Sequence, residues 1–377
     1  MGIGNELIGD VEELLVNRVI RKQSLFRHSG QSSMAWRAEQ ELSDFFNGHH
    51  ALLLPSATSA LLLILEALDL PHGSFVAIGV FGWLANWSCI QRAGLKPLFI
   101  PVDENLNIRP EILSEYIRDK NVSVVVLAHL LGRGQSYAKE IVEICQKLNI
   151  PLLEDIAQAF GVRIGSQRAG TFGVAAWSSF NHHKILSTGD GGFVLTSDRL
   201  MFENFSALHD QGCLVKNGKR SIPKEPISGL SLRVNQLTAG VLRAQIARFS
   251  YIRARLWRLY QELSAEFIER ELGNLIVPSE GDLPFSLMFC RKEKTTNYPS
   301  MLDSGWHYAG NVSWLRQSIE TALAFDPQLR QTTNILASTY ALGCGFTDKY
   351  FAMPLGLSIN GNSEEIVKLL ETLESML

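Results

Sequence analysis

The residues able to do chemistry in this chain fall at the ends of apolar runs. Lys184 stands in the stretch AWSSFNHHKILSTGDGGFVLTS, residues 176–197, between a run closing on Ser179 and Phe180 and a second, Phe193-Val194-Leu195. That pattern reads as strand, tight turn, strand, with one amine at the mouth. Gly189, Gly191 and Gly192 crowd beside it, as they would where backbone makes a close approach or takes positive φ. A lysine held out of water there is a poised amine nucleophile, whereas on a plain hairpin it is a solvated cation. His182 and His183 just before it are either acid–base groups near neutral pH or hydrogen-bonded structural imidazoles.

Three other places share this character. Asp155 follows the apolar Pro151-Leu152-Leu153, and a carboxylate ending a buried strand needs a cation or hydrogen-bond donors. A pyridinium nitrogen is one such cation, and capping the helical-looking Ile156–Ala159 is the rival use. Ser56-Ala57-Thr58-Ser59 joins a short apolar run to a helical one, where free N–H groups suit a phosphate or Ser56 acts as a plain cap. Trp83 opens another helical run and either stacks on a flat ring or fills the core. Lysine, acid, aromatic plate and phosphate turn together match the needs of pyridoxal phosphate.

The elements that must position these residues alternate regularly. Residues 2–46 read as helical, broken at His28-Ser29-Gly30. Strands follow at 51–54, 75–78, 97–100, 122–128 and 152–154, with helices at 60–68, 84–92, 110–117 and 138–148 between them. Val122–Leu127 is apolar with hardly any alternation, as in strands covered on both faces. The order predicts a doubly wound, largely parallel α/β sheet whose ligand lies at the carboxyl ends of the strands. A helix is expected at 199–208, then a polar linker through Lys216, Lys219, Arg220, Lys224 and Pro226, then one long helix from about 235 to 268. After breaks at Gly273 and Pro278–Pro284 come a strand at 285–289 and helices at 315–323 and 364–377, the last capped at Asn362-Ser363. The chain therefore divides into a large α/β domain, residues 1–250, and a smaller α+β domain, residues 251–377.

Bulk properties exclude several classes. With 35 basic and 38 acidic residues in 377, no positive field invites nucleic acid. The most apolar run, Leu61–Leu70, is short and carries Glu66 and Asp69, so no membrane span is expected. The five cysteines are scattered and the histidines lack ligand spacing, so neither a disulfide framework nor a metal site is expected. Without an apolar signal core at the start, the expected location is cytoplasmic.

Taken in order, Ser56-Ala57-Thr58-Ser59-Ala60, Trp83, Glu154-Asp155-Ile156-Ala157-Gln158-Ala159, Ser178–Lys184 and Thr188–Gly192 resemble the DegT/StrS sugar aminotransferases, fold-type I pyridoxal phosphate enzymes. The resemblance implies that Lys184 forms the Schiff base with the cofactor and shuttles a proton, while Asp155 pairs with the pyridine nitrogen. It further implies that Gln158 contacts the ring 3-oxygen, that Trp83 stacks on its face, and that Ala57, Thr58 and Ser179 hold the phosphate. Gly229–Arg233 corresponds to a segment that in relatives reaches the neighbouring subunit's site, which implies a homodimer with shared sites and roles for Ser231 and Arg233. The chain departs from the family at Ala57, Gly82, His182-His183 and Ser231, all expected to line the pocket. The expected activity is transfer of an amino group from glutamate or glutamine to a keto sugar or cyclitol. The alternatives are decarboxylation, elimination or carbon–carbon bond formation on the same cofactor, or a cofactor-binding regulator.

Overall fold

The computed structural model describes residues 4, 7–28, 32–216, 219–223, 227–290, 307 and 350–354. Two helices come first, α1 (Asp10–Arg21) and α2 (Met34–Phe45), followed by β1 (His50–Leu54), α3 (Ala57–Ala67), β2 (Phe75–Gly79), α4 (Leu84–Arg92) and β3 (Lys96–Ile100). Next are α5 (Pro110–Ile117), β4 (Val122–Ala128), α6 (Ala138–Lys147), β5 (Leu152–Asp155) and the two-residue strands β6 (Arg163–Ile164) and β7 (Gln167–Arg168). The sheet is completed by β8 (Ala175–Ser179) and β9 (Gly192–Thr196), and α7 (Arg199–His209) follows. Beyond it lie β10 (Leu214–Lys216), β11 (Lys219–Ser221), α8 (Gln236–Ala247), α9 (Phe249–Glu269), β12 (Asn274–Leu275), β13 (Ser286–Cys290) and β14 (Tyr350–Pro354).

Seven strands form the central sheet in the order β1-β9-β8-β5-β4-β2-β3. The pairs β2–β3, β2–β4, β4–β5 and β5–β8 are parallel, while β9 runs antiparallel to both β1 and β8. Alternate side chains enter opposite layers, as two-sided burial requires. Val124 and Val126 join the layer under α3 and α4, and Val125 and Leu127 the layer under α5 and α6. Likewise Leu52 and Leu54 face one side, Ala51 and Leu53 the other, against α2 and α8.

This topology gathers the carboxyl ends of β1, β2, β4, β5 and β8 on one edge, and the antiparallel β9 begins there too. Winding reverses between β2 and β4, the crevice where a ligand is expected in such sheets. Caps fix where the helices start: Ser33 accepts from Trp36 N–H, Ser56 from Ser59, Asp198 from Leu200 and Met201, and Asn235 from Leu237 and Thr238.

Four details differ from expectation. The turn between β8 and β9 is a loop, residues 180–191, with no tight hairpin. Ile156–Ala159 forms successive turns and no helix. The polar linker contains the β10–β11 hairpin, whose signal was the Asn-Gly pair in the sequence at 217–218. The long helix breaks at Arg248, whose guanidinium bonds Leu7 O and Glu12. The burial period runs through the break from Gln245 to Phe249 and Ile252, so spacing alone does not reveal it. The helices expected at 315–323 and 364–377 lie outside the described residues.

Candidate active site

Lys184 sits in the loop that joins β8 to β9, and the loop is tied down at many points. Phe180 N–H donates to Gly191 O, Thr188 N–H to Phe180 O, and Lys184 N–H to Asn181 O, each at 2.8–2.9 Å. Ser179 Oγ accepts from Asn181 N–H at 3.2 Å, and the Asn181 amide donates to Asp190 at 3.1 Å. From outside the loop, Gly4 N–H donates to Lys184 O at 2.9 Å, and Gln245 bonds both Gly4 O and Ser187 N–H, at 3.2 and 2.7 Å. The amine therefore projects from a fixed backbone. Burial lowers the pKa of Lys184, and the nearby Asp155 charge raises it in part. Such an amine is more often neutral, hence nucleophilic, than a surface lysine.

Asp155, the last residue of β5, is 4 % exposed. Its Oδ1 accepts from Ala157 N–H at 2.9 Å and its Oδ2 from the Asn86 side-chain amide at 2.7 Å. Burial raises its pKa, and Asn86, Ala157, Lys184 and His129 act against that rise. The capping and cation-pairing uses of this residue coexist, since two acceptor oxygens have room for a further donor. Glu154 beside it points elsewhere: Oε1 accepts from Gly170 N–H, and Oε2 from Phe172 and Gly173 N–H, at 2.7–2.8 Å. His129 Nε2 lies 3.1 Å from Glu154 Oε1 while its Nδ1 accepts from Gln135 N–H at 3.0 Å, so Nε2 carries the proton and donates to the carboxylate. This fully bonded pair, both side chains wholly buried, floors the site.

Trp83 is the N-cap residue of α4 and 36 % exposed, an accessible plate and no core filler. The Lys184 amine lies 5.9 Å from its ring centroid. His307 packs edge-on to the same ring at 5.2 Å, and its carbonyl accepts from Gly82 N–H at 2.9 Å. Gln158 Oε1 accepts from Leu131 N–H at 3.0 Å, and among the described residues its amide nitrogen has no acceptor. Gln158, Ser179 and Lys184 share the wall of a cavity of about 10 Å³, closed behind by Phe180, Leu186 and Phe285.

The turn expected to hold phosphate is α3's first turn. Ser56 caps it through Ser59, leaving the N–H groups of Ala57 and Thr58 outward at a positive helix end. β9 abuts this turn at Gly192, where a Cβ would lie 2.6 Å from Ala57 N and Ser56 C and 2.7 Å from Ser178 O. All three are backbone atoms, so nothing can swing aside. Gly192→Val is accordingly expected to destabilise the fold by about 3 kcal/mol and to weaken phosphate-dependent cofactor binding, as read by urea unfolding and cofactor titration. Gly189 takes φ +83° and Gly192 makes the close backbone approach, the two uses expected of this glycine cluster. Amine, acid, plate, amide donor and anion turn thus converge at one sheet edge, and this donor set fits pyridoxal phosphate.

His182 and His183 stand exposed at the mouth with ring centroids 3.7 Å apart. Burial first, then His182 and Lys184, lowers the pKa of His183, so it is a neutral acceptor at pH 7. Ser231 and Arg233 belong to a different cluster. Asp210, wholly buried, bonds Arg233, Arg220 at 3.1 Å and His28 at 2.9 Å, and pairs by backbone with Ser231. Sequence reasoning missed Asn86, His129 and Asp210.

A family model described as the DegT/DnrJ/EryC1/StrS aminotransferase family matches residues 8–311. GDP-perosamine synthase of Vibrio cholerae is 27% identical over 217 residues, 57% of this chain and 58% of that protein. L-glutamine:2-deoxy-scyllo-inosose aminotransferase of Micromonospora echinospora is 29% identical over 255 residues, 67% of this chain and 58% of that one. The matched part is thus less than two thirds of the length of either relative. Among solved structures, E. coli GDP-4-keto-6-deoxy-D-mannose-3-dehydratase with bound hydrated PLP superposes with a TM-score of 0.76 at 19% identity, covering 99% of this chain and 98% of that one.

Proposed function

Because the chain belongs to the DegT/DnrJ/EryC1/StrS aminotransferase family, we propose that it is a pyridoxal phosphate enzyme that moves an amino group from an amino acid, glutamate or glutamine, to a keto sugar or cyclitol. The observation that carries this reading is the Lys184 amine, 5.9 Å from the Trp83 ring centroid and within the field of the Asp155 carboxylate. When bound, the cofactor supplies an aldehyde that condenses with primary amines and a ring that takes up electrons from the adjacent carbon. The chain's own residues do the rest. Lys184 would hold the cofactor through its Nζ and, when released from it, would move a proton on the same atom. Asp155 would keep a proton at the pyridine nitrogen, Gln158 would donate to the 3-oxygen, and Trp83 would cover the ring. Ala57, Thr58 and Ser179 would hold the phosphate.

Ser231 and Arg233, gathered away from Lys184, support a homodimer in which each subunit lends this segment to the other's site. The free thiols Cys89 and Cys145 support a cytoplasmic location. We read residues 251–377 as the smaller domain, with His307 as its contact to the plate. The paired imidazoles at the mouth favour a second reading, an elimination or related reaction on the same cofactor with His183 as base. Product mass separates the two: a 2-oxoacid by-product marks transfer, and loss of water or ammonia without one marks elimination.

The test is borohydride reduction of the cofactor-loaded protein followed by peptide mapping. The expected result is a single reduced adduct on Lys184. An adduct on another lysine, or none, overturns the reading.

A further inference from the structure

We propose that Asn86 is a positioning residue for the acid that meets the cofactor's ring nitrogen: its side-chain amide fixes the plane and the ionised state of Asp155. The inference rests on the pyridoxal phosphate reading for its purpose, and on geometry alone for the contact. Asn86 is 3 % exposed and lies in the first turn of α4, where its own N–H donates to Trp83 O at 2.9 Å. Its Nδ2 stands 2.7 Å from Asp155 Oδ2, the spacing of a hydrogen bond to a charged acceptor. A carboxylate offers no proton, so the amide's nitrogen end must face it. One helix start thereby presents both the aromatic plate and the donor that orients the acid, and the two cannot drift apart without unwinding that turn.

Among the described residues, these groups face Asp155 beside Asn86. Ala157 N–H holds the other oxygen, the Lys184 amine lies across the site, and His129 approaches from the end of β4. Cys89, three residues on from Asn86, stays a thiol because burial and then Asp155 push it up to about 12. Glu154 is turned away onto the N–H groups of 170–173. Asn86 is therefore the one side-chain amide bonded to this carboxyl among the described residues, and without it burial acts with less opposition.

The sign of the effect follows. A carboxyl whose pKa is raised on folding stabilises the fold below its unfolded value, and that contribution is lost as pH climbs through the folded value. Removing the Asn86 donor raises the folded value further, so more is lost on the alkaline side. Asn86→Leu in the apoprotein should therefore show a melting-point deficit that widens as the pH is raised above the ordinary carboxylate value, and in an Asp155→Asn background the deficit should be flat. The loaded variant should also bind pyridoxal phosphate about tenfold more weakly. A deficit independent of pH in both backgrounds means that Asn86 only packs, and overturns the proposal. A widening deficit in a protein that borohydride fails to label at Lys184 overturns the cofactor reading instead and leaves the Asn86–Asp155 link standing.

Discussion

Lys184→Ala is expected to lower amino transfer by at least about 10⁴-fold. The amine has two tasks on one atom, condensation and proton transfer, and alanine removes both. Lys184→Arg is the discriminating companion: it keeps the positive charge facing Asp155 but cannot lose a proton, so it should be as inactive as alanine. If the residue served only to balance Asp155, arginine would restore function. The measurement is release of 2-oxoglutarate from glutamate in a single turnover, with the cofactor's absorbance followed alongside. Activity within tenfold of the native protein in either variant would sink the assignment. The alanine variant should fold, because the loop is held by bonds from Asn181, Thr188 and Gly4 that do not involve the lysine side chain.

Glu154→Gln is expected to cost about 3–5 kcal/mol of stability, the largest single loss anticipated outside the packed core. The native carboxylate accepts from Gly170, Phe172 and Gly173 N–H and from His129 Nε2, and both side chains of the Glu154–His129 pair are wholly buried. An amide of the same shape turns one acceptor into a donor, pointed at donors. Either the Phe172 and Gly173 pair or the Gly170 and His129 pair is then left buried and unpaired. Urea unfolding of the native and variant proteins measures the cost. A loss under about 1 kcal/mol would mean that the 170–173 turn relaxes freely. Since the Asp155 carbonyl accepts from His129 N–H at 2.9 Å, the same variant should shift the neighbouring acid and loosen the cofactor.

Legibility followed sequence distance. Strands covered on both faces announced themselves as unbroken apolar runs, and the ligand edge followed from their alternation with helices. Lys184, Asp155, Trp83 and the Ser56 turn each sit at the end of such a run, where an amine, an acid, an aromatic or a cluster of small residues stands out. Asn86 did not, because one amide among the polar residues of a helix looks like any surface asparagine. The His129–Glu154 pair joins positions 25 apart and His28–Asp210 positions 182 apart, and no local pattern encodes such meetings. The break at Arg248 escaped because the apolar period crosses it undisturbed, and the ion pair that Arg248 makes there reaches back to α1.

The hydrogen bond from Gly4 to the Lys184 carbonyl has a practical corollary. Anything fused ahead of Gly4, an affinity handle or a reporter, joins the chain beside that bond and the Gln245 bonds that support the backbone beneath the reactive amine. Tension applied to the molecule from this end, as in a pulling experiment, is therefore expected to reach the Lys184 loop first.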